Sequence, residues 1–312
     1  MKWSVIFSAI LFASAVASAN AADKKIVLIA GNPSHGYLEH EYRAGCLLMQ
    51  RCLAGVPGVN VIVASNDWPK DASVLDGADA VVMFSTGGAG HPLVRQPSRM
   101  KAIEAVVAKG AGFGTMHYGV EIPEYQGGQE FLRWQGGYFL TNWSVNPHWT
   151  ADFTNLPNHE ITRGVKPFKI RDEWYYHMKF ADRGVTPILS AIPPDDTRGK
   201  PGADFSHGGN PEVQKHKGEP ETVVWAFERP DGGRGFGFTG VHDHNNWANE
   251  SFRKVALNAI LWIAKVPVPA NGVECAVSKD DILQNLDPKD KPKAKENPAR
   301  IEPFVSPALP GK

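Results

Sequence analysis

The chain has 312 residues, of which 42% are hydrophobic, enough for one large domain with a buried core. Lysine plus arginine and aspartate plus glutamate each number 33, so the formal net charge is zero. A protein without net charge has no long-range electrostatic attraction to nucleic acid or to an anionic membrane surface, so we predict neither of these as a partner.

The N-terminal residues 1–21 have the three-part pattern of a secretory signal peptide. Lys2 precedes an apolar run over residues 5–16, and small residues follow up to Ala21. We expect cleavage near Ala21 and export to the periplasm or beyond. The apolar run is shorter than the roughly 20 residues that cross a bilayer, and no later segment is apolar enough to span one. An uncleaved anchor is the alternative.

The chain contains three cysteines, Cys46, Cys52 and Cys275, which are too few for a disulfide-dense secreted scaffold. Cys46 and Cys52 lie in one predicted helix, and their spacing points them in different directions, so they are poorly placed to pair with each other. We interpret both as buried packing residues.

Strands and helices alternate along the chain. Short apolar, β-branched runs predict strands at 24–30, 59–64, 78–84, 111–116, 149–153, 187–191, 222–228 and 235–239, and longer stretches predict helices at 39–53, 99–109 and 249–264. This order predicts an α/β fold with a doubly wound, mostly parallel sheet and helices on both faces.

The predicted domain covers residues 22–272. Within it, residues 193–220 are rich in glycine, proline and charge, which is typical of a surface loop that covers a site or is simply mobile. Residues 273–312 are too rich in proline and charge to form a core, and we expect an extended or disordered tail.

Histidines follow three of the predicted strands. The strand at 24–30 leads to His35, the strand at 111–116 to His117, and the strand at 235–239 to His242 and His244. A single histidine is usually a packed or surface residue, but ligands of open α/β sheets bind at this edge. The convergence favours either a metal site, with His35, His117 and His242 as ligands of a Zn-like divalent ion, or an acid–base site.

The segment GFGTMHYGVE has the layout of a nucleophile elbow, in which a strand turns sharply into a helix. His117 stands where the nucleophile would be, between Thr115 and Gly119. In a glutaminase that uses a cysteine nucleophile, the elbow residue is the cysteine that forms a thioester with the substrate. No cysteine lies near this turn, so that chemistry is excluded if the elbow is placed correctly.

Acidic and aromatic residues lie together at Asp172, Glu173 and Trp174. Aromatic rings stack on sugar rings and carboxylates accept hydroxyl hydrogen bonds, so these residues, with Tyr118 and His148, are candidates for binding a carbohydrate. The alternative is that the aromatic rings belong to the core and the acids to the surface.

Four separated segments resemble the ThuA-like family, named for trehalose utilisation, within the class I glutamine amidotransferase-like superfamily. They are SHGYLEHEYRAGCLL, GFGTMHYGVE, HEITRGVKPFKIRDEWYYHMKF and GRGFGFTGVHDHNNWANESFRKVALNAILWIA. The resemblance covers about residues 24–272 and implies a flavodoxin-like, amidotransferase-type fold and a link to sugar catabolism. It places His35, His117, residues 172–176 and His242 at characteristic family positions. Val241 stands where the family often has glycine.

The leading hypothesis is an enzyme that acts on an oxidised (keto-) sugar or glycoside as a hydrolase, lyase or isomerase, and not as a cysteine amidotransferase. The histidines bind a metal or polarise a carbonyl, His244 or Glu121 moves a proton, and Glu173 orients the sugar. The alternative is a non-catalytic carbohydrate-binding or accessory protein on a degenerate amidotransferase fold. The sequence assigns no protein partner.

Overall fold

A computed structural model describes residues 23–199 and 210–291. The predicted signal peptide, part of the predicted loop at 193–220 and residues 292–312 lie outside the described residues. The strands are β1 (Lys24–Ala30), β2 (Val59–Ala64), β3 (Ala80–Phe84), β4 (Gly112–Met116), β5 (Gly137–Tyr138), β6 (His148–Phe153), β7 (Phe168–Glu173), β8 (Lys179–Phe180), β9 (Val185–Ala191), β10 (Glu221–Glu228) and β11 (Arg234–Phe238). The helices are α1 (Tyr42–Leu53), α2 (Pro92–Arg95), α3 (Pro97–Val107), α4 (Gln129–Gln135), α5 (Pro211–Lys215), α6 (Glu250–Ile263) and α7 (Lys279–Leu283).

The main sheet of the described residues has seven strands in the order β2-β1-β3-β4-β11-β10-β9. Strands β2, β1, β3, β4 and β11 pair in parallel, whereas β10 pairs antiparallel with both β11 and β9. The predicted α/β class with a mostly parallel sheet is therefore confirmed, with an antiparallel edge. The carboxyl ends of β1, β4 and β11 lie at the same edge, as the histidine pattern requires.

Helices cover both faces of the sheet. Side chains of β1 alternate: Leu28 packs in the same core as Leu257 of α6, and Val27 packs in the opposite core with Ile103 of α3. Burial of both faces explains why β1 is an apolar run rather than an alternating sequence. The prediction of helices on both faces is confirmed.

A separate hairpin of β6 and β7 brings the acidic and aromatic segment to the site. His148 pairs with Glu173, and Trp149 pairs with Asp172. The sequence did not delimit β7, because its exposed positions Lys169 and Arg171 interrupt the apolar pattern. Trp174, which follows β7, is fully buried in the core.

Cys52 of α1 and Cys275 form a disulfide across 223 residues of sequence. The interpretation of Cys52 as a packing residue is therefore wrong, because the partner comes from a distant segment that follows α6. Cys46 is free and buried, in agreement with the sequence.

Part of the predicted tail is structured. Residues 279–283 form α7, which begins with a capping box between Ser278 and Asp281, and Ile282 is buried against the domain. The expectation of an extended tail needs correction here, because the disulfide and Ile282 attach this stretch to the domain. In the part of the predicted loop that the structure describes, Asp195–Arg198 and α5 form short helices.

No helix within residues 23–199 and 210–291 is long and apolar enough to cross a membrane.

Candidate metal centre

Four side chains converge at the carboxyl edge of the sheet: His40, His117, Glu173 and His242. Each offers one ligand atom, and the four atoms lie within 4.8 Å of one another. His40, His117 and His242 are between 0% and 4% exposed, so the group is enclosed by protein. Imidazole nitrogens with one carboxylate oxygen are the donor set of many zinc and other transition-metal sites.

The spacing of these atoms fits a single ion. His40 Nε2 lies 3.0 Å from His117 Nε2 and 2.9 Å from His242 Nδ1. Glu173 Oε2 lies 2.9 Å from His242 Nδ1 and 3.4 Å from His117 Nε2. Ligands at about 2.0 Å around a tetrahedral ion are about 3.3 Å apart, so these four pairs are within a few tenths of an ångström of that spacing, while the four atoms as a group spread over up to 4.8 Å.

The outer ring nitrogens of His117 and His40 have hydrogen-bond partners, which allow the inner nitrogens of the neutral rings to carry lone pairs. His117 Nδ1 donates to the Thr239 carbonyl at 2.9 Å, and a carbonyl can only accept, so the Nε2 of neutral His117 carries a lone pair toward the centre. The Tyr42 hydroxyl, 2.7 Å from His40 Nδ1, can accept a hydrogen bond from that nitrogen when Nδ1 carries the proton. His242 Nε2 faces Glu39 Oε1 at 3.6 Å. Such outer partners orient metal-binding imidazoles.

The electrostatics of the centre favour a cation. Burial alone would raise the pKa of Glu173, but hydrogen bonds with His117 and His242 outweigh burial and hold that pKa well below its usual range. Burial lowers the pKa of His242, yet hydrogen bonds with Glu173 and Glu39 dominate and raise it to about 10. Burial lowers the pKa of His40 far below its ordinary value. Glu173 therefore keeps its negative charge, His242 carries a positive charge beside it, and His40 is a neutral imidazole.

His117 occupies the predicted elbow. Its φ is 49°, in the left-handed region, and a 3-10 turn over His117–Val120 follows directly after β4. Such strained residues cluster at functional sites. Gly119 lies against the backbone of Met83 and Ser85, where a Cβ would be 3.2 Å from the Met83 carbonyl oxygen. The crowding explains the small residue at this position of the turn.

His40 lies at the end of the loop between β1 and α1, with φ of 47°. Its backbone N–H donates to the His242 carbonyl, and Glu39 forms an isolated bridge with Asp243. These contacts couple the first loop to the segment after β11 and bring two ligands together. The loop from 31 to 41 thus closes the site from the side of β1.

Asp172 supports the site from behind and does not face it. Its buried carboxylate accepts hydrogen bonds from the backbone N–H groups of Val241 (2.6 Å), His242 (3.0 Å) and Asp243 (3.2 Å). Three charge-assisted bonds fix the backbone of the segment that carries a ligand. Asp172 was expected to bind substrate, but its position is that of a structural anchor.

Val241 has a φ of 85°, an unusual conformation for a β-branched residue. A left-handed conformation costs about 1–2 kcal/mol for residues other than glycine, but Val241 is also buried.

We expect Val241→Ala to destabilise the protein by about 2 kcal/mol, because buried methyl groups are lost and the backbone strain stays. Val241→Gly should be no more destabilising than Val241→Ala, since it relieves the strain, and urea unfolding would compare the two. Glycine clearly worse than alanine would contradict a strained Val241.

The other predicted site residues have varied positions. His35 is exposed and stacks on His40 with ring centroids 3.5 Å apart, so it covers His40 and is not one of the four converging side chains. His244 is buried, its Nε2 lies 3.0 Å from the Ile282 carbonyl, and burial lowers its pKa to about 4. It faces the C-terminal segment, which does not suit proton transfer at the centre. Trp174 is a core residue.

Three predicted residues lie around the cluster. Tyr118, half-buried, stands edge-on to His40 at 5.9 Å between ring centroids, and His148 stands edge-on to His242 at 4.7 Å. Glu121 is buried and accepts a hydrogen bond from the Thr141 hydroxyl. Glu121 and Tyr118 both lie against Gly87 and Gly88, which places the two side chains near each other. These polar groups form a rim beside the histidines.

Sequence reasoning missed two residues of the centre. The predicted helix at 39–53 included His40, whereas α1 begins at Tyr42 and His40 ends the loop that also carries His35. The Tyr175 hydroxyl lies 3.4 Å from both His117 Nε2 and Glu173 Oε2. Its place two residues after Glu173 was the available signal, because alternate residues of an extended segment share a face.

Comparisons with known proteins agree with this architecture. A family model described as trehalose utilisation, ThuA, matches residues 27–263. A ThuA-like protein from Bacteroides uniformis has 14% sequence identity and a TM-score of 0.55, covering 78% of this chain and 93% of its own. A ThuA-like protein from Parabacteroides merdae has 14% identity and a TM-score of 0.51, covering 83% of this chain and 94% of its own. A search of curated proteins finds no match. The fold and the long family match together show that this chain belongs to the ThuA family.

Proposed function

We propose that the chain is an exported enzyme that uses a divalent transition metal, held by His40, His117, Glu173 and His242, to act on an oxidised (keto-) sugar or glycoside. The observation that carries the proposal is the convergence of three imidazole nitrogens and one carboxylate oxygen within 4.8 Å. The sugar substrate rests on the description of the family, trehalose utilisation, and on the polar and aromatic rim.

The metal, when bound, supplies a Lewis acid that polarises a carbonyl oxygen. A polarised keto group acidifies the neighbouring C–H, so that a base of the protein can remove that proton. Glu121 is the candidate base, since it is buried near the Tyr118 ring and its carboxylate is held by Thr141. The C–H electron pair would then form a C=C bond as the neighbouring C–O bond breaks, and the departing glycosidic oxygen would take up a proton, which protonated Glu121 can return.

The rim residues have separate roles in this proposal. Asn146 donates to Glu173 Oε1 at 3.1 Å, which leaves Oε2 facing the histidines. Glu173 is therefore a ligand rather than the residue that orients the sugar. Tyr118 and His148 are half-buried at the rim and offer a hydroxyl and an imidazole for sugar hydroxyls.

The test is metal analysis and turnover of the mature protein, purified without chelator. We expect about one transition-metal ion per chain, turnover on a panel of keto-glycosides, loss of both after dialysis against a chelator, and recovery when the metal is restored. Turnover without metal would overturn the metal mechanism and indicate a metal-free acid–base site. Stoichiometric metal with no turnover and with sugar binding would indicate the carbohydrate-binding alternative.

A further inference from the structure

The C-terminal segment of the described chain, residues 273–291, returns to the back of the metal centre. Cys275 attaches its beginning to α1 through the disulfide with Cys52. Ile282, in its middle, is buried and accepts a hydrogen bond from His244. The end of the segment lies beneath the loop that carries His40.

Lys289 is the residue of this segment that enters the protein. Its side chain is 9% exposed, and its Nζ donates to the Glu39 carbonyl at 2.5 Å. The same Nζ lies 3.3 Å from Glu41 Oε1 and 3.7 Å from Asp287 Oδ2. Asp287 also donates its backbone N–H to Glu41 Oε2 at 2.8 Å. A buried ammonium with this many oxygen partners is a specific contact.

These contacts hold both neighbours of one ligand. Glu39 and Glu41 flank His40, and Lys289 binds the backbone of the first and the carboxylate of the second. Glu39 in turn faces His242 Nε2 at 3.6 Å and accepts from the Gly36 N–H. The loop backbone at His40 has a positive φ, so it depends on outside contacts to keep its conformation.

We propose that Lys289 is a positioning residue for the metal centre, which holds His40 in its binding geometry, and that the Cys52–Cys275 disulfide keeps the segment carrying Lys289 in place. The proposal rests on the proposed metal function. It assigns to the C-terminal segment a part in ligand placement, although none of its residues is a ligand.

The test compares Lys289→Met with Lys289→Arg and with the matched control Lys291→Met in the full mature chain. Lys291 lies nearby, with its Nζ 5.5 Å from the Tyr37 ring centre, but it contacts neither neighbour of His40. Zinc affinity would be measured by competition with a chromophoric chelator, and cobalt absorption spectra would report ligand geometry. We expect about 10–100-fold weaker zinc binding and an altered cobalt spectrum for Lys289→Met, as for other residues that orient ligands. Lys289→Arg should recover part of the affinity.

Unchanged zinc affinity in Lys289→Met, or an equal loss in Lys291→Met, would overturn the role of Lys289. The paired variant Cys52→Ser/Cys275→Ser should weaken zinc binding in the same direction, and wild-type affinity in it would overturn the role of the disulfide. If the wild-type chain binds no metal, the proposed function fails, and histidine side-chain NMR still tests positioning. The His40 ring signals should then shift in Lys289→Met and stay unchanged in Lys291→Met, and no shift in Lys289→Met would refute the proposal.

Discussion

Replacing Asp172 with alanine is expected to lower the free energy of unfolding by about 4 kcal/mol, because a buried N–H group left without an acceptor costs about 1–3 kcal/mol. Four backbone donors, at Glu173, Val241, His242 and Asp243, lose their acceptor together. The segment after β11 would also lose the anchor that sets the direction of His242. Urea unfolding of the mature protein, followed by tryptophan fluorescence, measures the change.

Asp152→Ala is the matched control for this experiment. Asp152 lies on the same hairpin, but its side chain is 43% exposed and pairs only with Lys169 at the surface. A surface ion pair contributes about 0–1 kcal/mol, so this variant should unfold near the wild-type midpoint. Equal stability of the Asp172→Ala and Asp152→Ala variants would show that the three backbone bonds do not hold the segment.

Replacing His40 with alanine is expected to weaken metal binding by roughly 10²–10³-fold, since structural zinc binding of about 10–16 kcal/mol is shared among four ligands. His35→Ala is the control within the same loop. His35 stacks on His40 and stands edge-on to His242, and a ring pair is worth about 0.5–1.5 kcal/mol, so its loss should weaken binding by less than about tenfold. Zinc competition titrations of both variants measure the difference.

The reverse order, with His35→Ala more damaging than His40→Ala, would show that the loop rearranges when the metal binds and that His35 is the ligand. Equal and small effects would remove this loop from the ligand set altogether. Circular dichroism spectra of both variants should match the wild-type spectrum, which checks that neither substitution unfolds the domain.

The strands and the elbow were predictable because their physical signals are local. The apolar run KKIVLIA marks β1 at its observed bounds, and VNVIVA marks β2 in the same way. His117 was predictable because a strand, a tight turn and small neighbours adjoin each other in sequence. Where a signal depends on a few consecutive residues, sequence reasoning and structure agree.

The contacts that the sequence did not reveal join distant segments. Nothing near Cys52 indicates Cys275 as its partner, because 223 residues separate them. Asp172 and Glu173 are adjacent carboxylates in one strand, and only the fold shows that one binds the backbone after β11 and the other faces the histidines. The choice between His35 and His40 likewise depends on a loop backbone with three positive φ angles, at His35, Leu38 and His40.

The positions of the four ligands along the chain have a consequence for folding. They span residues 40 to 242, so the centre forms only after β1, β4, the hairpin and β11 have come together. Contacts this distant in sequence form late and slow the folding of a domain. We therefore expect a metal ion to bind after these elements have assembled. The metal ion binds the folded domain. Once its concentration exceeds the dissociation constant, the free energy of unfolding rises with the logarithm of the ratio of these two quantities. Metal occupancy would thus report that the whole chain has reached its native state.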